Sequence, residues 1–351
     1  MKQGNPFTLT FGKQPNLYLD RYENTNEILS AFLSDNPISQ TYLISGVRGS
    51  GKTVLMTAVA NTLRSTANWI VVDLNSTQPL LEELAMRLTD ACKPLPDALE
   101  KGFELSLVGF GVAYSGSNEM HDSVSRIEAI LTRLKKQNKR VLITIDEAVP
   151  DEHMRRFASQ FQILLRQNYP VFLILTGLYE NIYGIQNDPA LTFLLRTPKI
   201  NLGPLGINQI KNEYQSIFSL DDAFSTQMAN LTMGYAFAFQ ALGLLYWEYR
   251  DTLSMPQILQ KLDAMLEDFV YRKLWSSLTE TEQRILQNMP PEGQRIKLSA
   301  LCEKLQVKST SISKYRERLI SKGFCVSPSY GYLMIVLPRF QTITRAYITE
   351  A

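Results

Sequence analysis

The chain has 351 residues, 45 % of them apolar and 20 % charged, with a formal net charge of only +2. That leaves room for two or three domains with ordinary cores and excludes a molecule that binds polyanions over its whole surface. The three cysteines (Cys92, Cys302, Cys325) lack metal or redox spacing, the first residues are too polar for a signal peptide, and no apolar run reaches the eighteen or so residues of a membrane span, so a cytoplasmic protein with buried thiols is expected.

In chain order, residues 24–36 ("NTNEILSAFLSDN") space their apolar side chains as a helix. "QTYLIS" (40–45) reads as a strand running straight into a glycine-rich loop, and "KTVLMTAVANTLRS" after it as a helix. "NWIVVDLN" (68–75) is a short apolar run of the kind buried on both faces. Helix, helix, strand ("RVLITIDEA", 140–148), helix and strand ("YPVFLILTG", 169–177) follow, which predicts an α/β fold with a mainly parallel sheet. Residues 101–119 break the alternation and read as an inserted hairpin, lying on the edge of the core or contacting a partner or DNA. Residues 206–278 read as all helical, and residues 278–340 as helix, helix, turn, helix and two strands about a Ser-Tyr-Gly turn, the order of a winged helix-turn-helix. The expected division is therefore 1–205, 206–278 and 279–351.

Within "LISGVRGSGKT" stands G-x-x-x-x-G-K-T: Gly46, Gly51, Lys52 and Thr53. Glycines let backbone N–H groups close on a phosphate, and the following helix adds its positive N-terminus. Gly46, Val47, Arg48, Gly49, Ser50, Gly51, Lys52, Thr53 and Val54 are the expected nucleotide-binding set, with Lys52 reaching the β- and γ-phosphates and the Thr53 hydroxyl holding Mg²⁺. The strand "VLITIDEA" ends in Asp146 and Glu147. A strand-end Asp is the expected Mg²⁺ ligand and its neighbouring Glu the group that activates water. Thr176 ends a third strand, expected between the other two, where its hydroxyl either touches the γ-phosphate or simply closes the strand. His121 and His153 have no ligand at metal spacing.

Gly46–Thr53, "ITIDE" and "LILTG" together resemble an AAA+-type ATPase of the additional-strand, catalytic-glutamate division. "YLDRYENTNEIL" resembles that family's box on the adenine side, and the helical block and winged helix look like archaeal origin-recognition initiators and related STAND-like ATPases. The resemblance implies a P-loop NTPase sheet, a helical lid, and ATP hydrolysis with Mg²⁺ by Lys52, Thr176 and Glu147. It also implies an arginine serving a neighbouring subunit's γ-phosphate. Arg196 stands at that place, where it is either such a group or a surface arginine at a helix end. The lid arginine of the family is missing: the matching helix has none until Arg250. That departure is closer to STAND-like ATPases and implies slow turnover.

From Pro290 onward the chain carries ten Lys/Arg against four Asp/Glu, a net of +6, leaving 26 against 30 elsewhere. A basic tail points to a nucleic-acid partner. Ser311, Lys314, Arg316, Arg318 and Lys322 fall largely off the apolar stripe of the last helix and are the expected contacts to double-stranded DNA, with Tyr330 or Tyr332 at the wing. The alternative is a nucleotide switch that assembles with itself or with a protein partner and uses the winged helix for protein contact.

Overall fold

The structure is a computed structural model that describes residues 4–10, 17–92, 118–345 and 347. The expected hairpin at 101–119 lies almost wholly outside the described residues. The chain divides into two compact units. One, the sheet unit, comprises Tyr22–Ser45 and Leu55–Asn201; the other, the helical unit, comprises Met1–Arg21, Gly46–Val54 and Leu202–Ala351.

Five parallel strands form the sheet: β1 (Thr41–Ser45), β2 (Trp69–Asn75), β3 (Arg140–Asp146), β4 (Val171–Gly177) and β5 (Lys199–Asn201), in the order β2-β3-β4-β1-β5. The third motif strand, β4, therefore lies between the other two, as expected if the sheet has the order of the phosphate-loop class. β1 and β4 are buried at every residue. In β4 this shows as an unbroken apolar run from Val171 to Leu175 rather than as alternation. One face packs against α3 (Leu80–Cys92), α4 (Asn118–Lys136), α5 (Glu152–Arg166) and α6 (Tyr179–Gln186) through Ile143, Ile145, Leu173 and Leu175. On the other side Phe32 of α1 (Tyr22–Leu33) meets Phe172 at 5.0 Å, and Trp69 meets Phe172 at 4.8 Å. Arg140 lies over Trp69 and Phe172 and donates to the carbonyls of Phe32 (2.7 Å) and Ser34 (2.8 Å), closing the C-terminus of α1.

In the helical unit α7 (Ile207–Phe218), α8 (Asp222–Thr232), α9 (Ala236–Tyr249) and α10 (Met255–Leu266) form a block. The N-terminal arm is pinned to it: Phe7 stacks on Phe218 at 5.6 Å, and Gln240 accepts the Thr8 N–H and donates to Leu17 O at 2.8 Å. A π-turn (Glu267–Tyr271) and α11 (Arg272–Ser276) lead into α12 (Glu280–Gln287), β6 (Arg295–Lys297), α13 (Leu298–Leu305), α14 (Ser309–Ser321), β7 (Cys325–Val326) and β8 (Tyr332–Ile335), followed by α15 (Phe340–Thr344). The three strands pair antiparallel in the order β6-β8-β7. This is the element order of a winged helix-turn-helix, with β6 added to the two strands legible in the sequence. It is tied to the block by Arg339, which forms a salt bridge with Asp263, and by Tyr271, whose hydroxyl donates to Pro338 O at 2.7 Å. All three cysteines are buried and free. No helix among the described residues is long and apolar enough to cross a membrane.

Candidate nucleotide site

β1 ends at Ser45, one residue before the glycine loop, and α2 (Lys52–Arg64) begins at its last lysine. The sequence thus makes the strand–loop–helix passage a phosphate loop requires. Lys52 is buried and donates from Nζ to Gly46 O (3.1 Å) and Val47 O (2.9 Å). Its ammonium is thereby held along the loop. The Ser50 hydroxyl is buried without a hydrogen-bond partner, and a Cβ at Gly46 would lie 2.5 Å from that oxygen. An orphaned buried hydroxyl is costly unless a ligand completes it. Together with the held ammonium, it fits an anionic group seated in the loop.

Gly49 has φ +77°, and a Cβ there would come within 2.4 Å of the Tyr235 hydroxyl and 3.1 Å of Phe237 Cβ. Replacing Gly49 with alanine is expected to lower the thermal unfolding midpoint, because left-handed backbone costs about 1–2 kcal/mol and overpacking about 1–3 kcal/mol. An unchanged midpoint by calorimetry or circular dichroism would mean that the loop yields freely.

The acidic half lies in the sheet unit. Asp146 closes β3, and its Oδ1 accepts both the Glu147 N–H (3.0 Å) and the Thr176 hydroxyl. Thr176 is fully buried, so its hydroxyl orients the carboxylate. Glu147 is exposed at φ +52°, a left-handed conformation uncommon outside glycine. The next residue is anchored, with Ala148 N–H donating to Thr176 O at 2.8 Å. The backbone thus leaves β3 abruptly and frees the Glu147 side chain from the sheet. Arg196 ends a 3-10 helix (Pro189–Arg196) and is exposed. Among the described residues no three His, Cys, Asp or Glu side chains cluster as a metal site.

Residues 42–167 match the model of the ATPase family associated with various cellular activities (AAA). Two solved structures align along nearly the whole chain. Cdc6p from Pyrobaculum aerophilum does so with TM-score 0.51 and 14 % identity, covering 97 % of each chain. The ORC2 protein of Aeropyrum pernix, solved as ADPNP–ADP complexes, aligns with TM-score 0.55 and 15 % identity over 94 % of this chain and 93 % of that one. The fold is that of an AAA+ ATPase. Residues 268–342 match a Domain of unknown function (DUF8462). No curated protein matches the sequence.

In the C-terminal helices and strands, Lys314 and Arg318 are exposed on α14. Arg316 is half-buried and donates to Ser327 Oγ at 3.2 Å. Lys322 is turned inward, donating to Ser277 O (3.0 Å) and pairing with Glu282 at 2.9 Å. Burial pushes the Glu282 carboxyl up, but hydrogen bonds from Thr279 and Lys322 outweigh it and hold the group below its ordinary range. Ser311 is the third residue of α14. At the wing, Tyr330 is fully exposed and Arg295 lies over the Tyr332 ring at 4.9 Å.

Three residues that sequence reasoning did not single out touch the loop. The Tyr235 hydroxyl donates to Arg48 O (2.5 Å), Phe237 N–H to Gly49 O (3.1 Å), and Arg21 to Ser50 O (3.1 Å) and Gly203 O (2.8 Å). For Arg21 the signal was its place in the "YLDRYE" box; Tyr235 and Phe237 carried none. Arg250 caps the far end of α9, against Phe218 and Trp247. Fourteen helical residues put it about 20 Å from Tyr235.

Proposed function

We propose that this protein binds ATP with Mg²⁺, hydrolyses it, and couples nucleotide state to engagement of duplex DNA by its C-terminal winged helix. The observation that carries the nucleotide reading is the loop: a buried lysine, an orphaned Ser50 hydroxyl and a glycine backbone within a segment matched by the AAA model. The functional parts are the core (1–205), a helical lid (206–278) and the winged helix (279–351). Gly46–Val54 hold the phosphates and Lys52 neutralises them. Thr53 and Asp146 supply the hydroxyl and single carboxylate that suit Mg²⁺, which keeps waters and takes phosphate oxygens besides. When bound, the ion supplies charge neutralisation on the phosphate oxygens. Thr176 orients Asp146, and Glu147 takes the proton of the attacking water. Arg196, exposed at the end of its helix, is available to the nucleotide of a neighbouring copy.

For DNA the supporting observation is the pair of free cations on α14, Lys314 and Arg318, beside the exposed Lys308 at its N-cap. With Lys322 neutralised inside the domain, this footprint is smaller than the five residues read from the sequence. Reversing Lys314 and Arg318 to glutamate is expected to weaken duplex binding at least tenfold and to lower the slope of log affinity against log salt by about 2. Titrations by fluorescence anisotropy at three salt concentrations measure both. An unaltered slope would remove α14 from the phosphate backbone.

A slow nucleotide switch with a protein-docking winged helix is the second reading. Two observations favour it. The lid presents Tyr235 and Phe237, not a cation, to the loop. A small open apolar groove lies between α12 and the α13–α14 turn, lined by Ile285, Leu305, Val307, Ile312 and Tyr315. ATPase rates with and without duplex DNA, alongside light scattering with ATP, separate the two. DNA-stimulated turnover supports the first; ATP-driven assembly without DNA affinity supports the second.

A further inference from the structure

Five consecutive carbonyls of the phosphate loop are each met by a donor. Lys52 Nζ serves Gly46 and Val47, the Tyr235 hydroxyl serves Arg48, the Phe237 N–H serves Gly49, and the Arg21 guanidinium serves Ser50. The last three donors come from outside the loop: two from the start of α9 and one from the N-terminal arm. Accordingly the loop groups with the lid in one compact unit.

The chemical consequence follows from the planar trans peptide, in which a carbonyl and the next N–H point to opposite sides. Holding the carbonyls of Arg48, Gly49 and Ser50 outward turns the N–H groups of Gly49, Ser50 and Gly51 inward. The Ser50 N–H meanwhile closes the loop on itself, donating to Val47 O at 3.2 Å. Inward N–H groups are what a phosphate requires, whereas a carbonyl rotated into the same space would repel it.

We infer that Tyr235 and Phe237 at the start of lid helix α9 are positioning residues for nucleotide binding: they clasp the carbonyls of Arg48 and Gly49 and hold the loop in its phosphate-accepting shape. This rests on the nucleotide reading above. It gives the lid a neutral way to sense an occupied loop, through backbone geometry rather than through a charge on the γ-phosphate. The coupling is reciprocal by thermodynamic necessity: if the clasp raises nucleotide affinity, nucleotide tightens the clasp. Because the clasp touches loop carbonyls and no γ-phosphate contact is asked of it, it acts on ATP and ADP alike. It is also made equally before and during reaction, so it belongs to uniform binding and shifts KM rather than kcat.

Tyr235→Phe keeps the buried ring and removes only the donor. Calorimetric titration of the full chain with MgADP and with MgATP is expected to show both affinities reduced about fivefold, the scale of one neutral hydrogen bond. KM for ATP should rise by the same factor with kcat unchanged. On the unaltered chain, hydrogen exchange of the Phe237 amide should slow when MgADP is added. If the unaltered chain binds neither nucleotide, the nucleotide reading and the clasp fall together. If it binds and Tyr235→Phe binds as tightly, only the clasp falls. Loss confined to ATP, or a Phe237 amide indifferent to MgADP, would equally overturn it.

Discussion

Lys52→Ala is expected to lower MgATP affinity by at least a hundredfold in a direct titration. Two losses add. The ammonium that would meet the phosphates disappears, and the carbonyls of Gly46 and Val47 lose the donor that now holds them at 3.1 and 2.9 Å. Hydrogen bonds involving a charged group are worth about 1.5–3 kcal/mol each, so one or two from the ammonium to phosphate oxygens account for the factor. The loop would also be freer to turn its carbonyls inward, which adds repulsion to the missing attraction. Far-UV circular dichroism would guard against unfolding, and nucleotide-free DNA affinity would show whether the winged helix is intact. MgATP affinity within threefold of the unaltered chain would take Lys52, and the loop with it, out of the nucleotide's path.

The parts of this chain that were legible in the sequence are those whose signal is local. β1 and β4 are buried at every residue; β1 runs straight into the glycine loop, and β4 is an apolar run that meets Thr176 at its penultimate position. The order strand, glycine loop, helix is read along fewer than thirty residues. The clasp is different in kind. Tyr235 is 187 residues from Arg48, and nothing in "MGYAFAF" announces a partner that far upstream. Lys322 fails to read as a structural residue for the same reason: its partner Glu282 lies 40 residues earlier, and on a helical wheel the lysine looks like any solvated cation. β6 is three residues long, with one isoleucine between two cations, too short for alternation to register. Thr176 was legible as a polar strand end, but its bond to Asp146 depends on the pairing of β3 with β4. Sequence gives the chemistry of each group; which group is already spoken for is decided by contacts across the fold.

Asp146 and Glu147 are adjacent in sequence, yet the fold treats them oppositely. The Asp146 carboxylate is held by the Thr176 hydroxyl and the Glu147 N–H. Glu147 itself is exposed, in a left-handed backbone conformation that costs about 1–2 kcal/mol for a residue with a Cβ. Strain kept at one residue of a buried strand's end motivates a functional reading. Here the strain frees one carboxylate from the sheet beside another that is anchored, which suits a mobile base next to a fixed metal ligand. Glu147→Gln is therefore expected to bind MgATP as tightly as the unaltered chain or more so, while turnover falls at least a hundredfold, since a positioned general base contributes about 10²–10⁴. Glutamine keeps the length and shape of the side chain, so the backbone is not asked to change. Single-turnover mixing with radiolabelled ATP reads the difference: the label should remain bound and unhydrolysed. Asp146→Asn provides the contrast, because losing the anchored carboxylate should weaken the Mg²⁺ dependence of binding as well as turnover. If Glu147→Gln hydrolysed ATP at the original rate, the base would have to be sought elsewhere, and the left-handed turn at Glu147 would be a device of the fold alone.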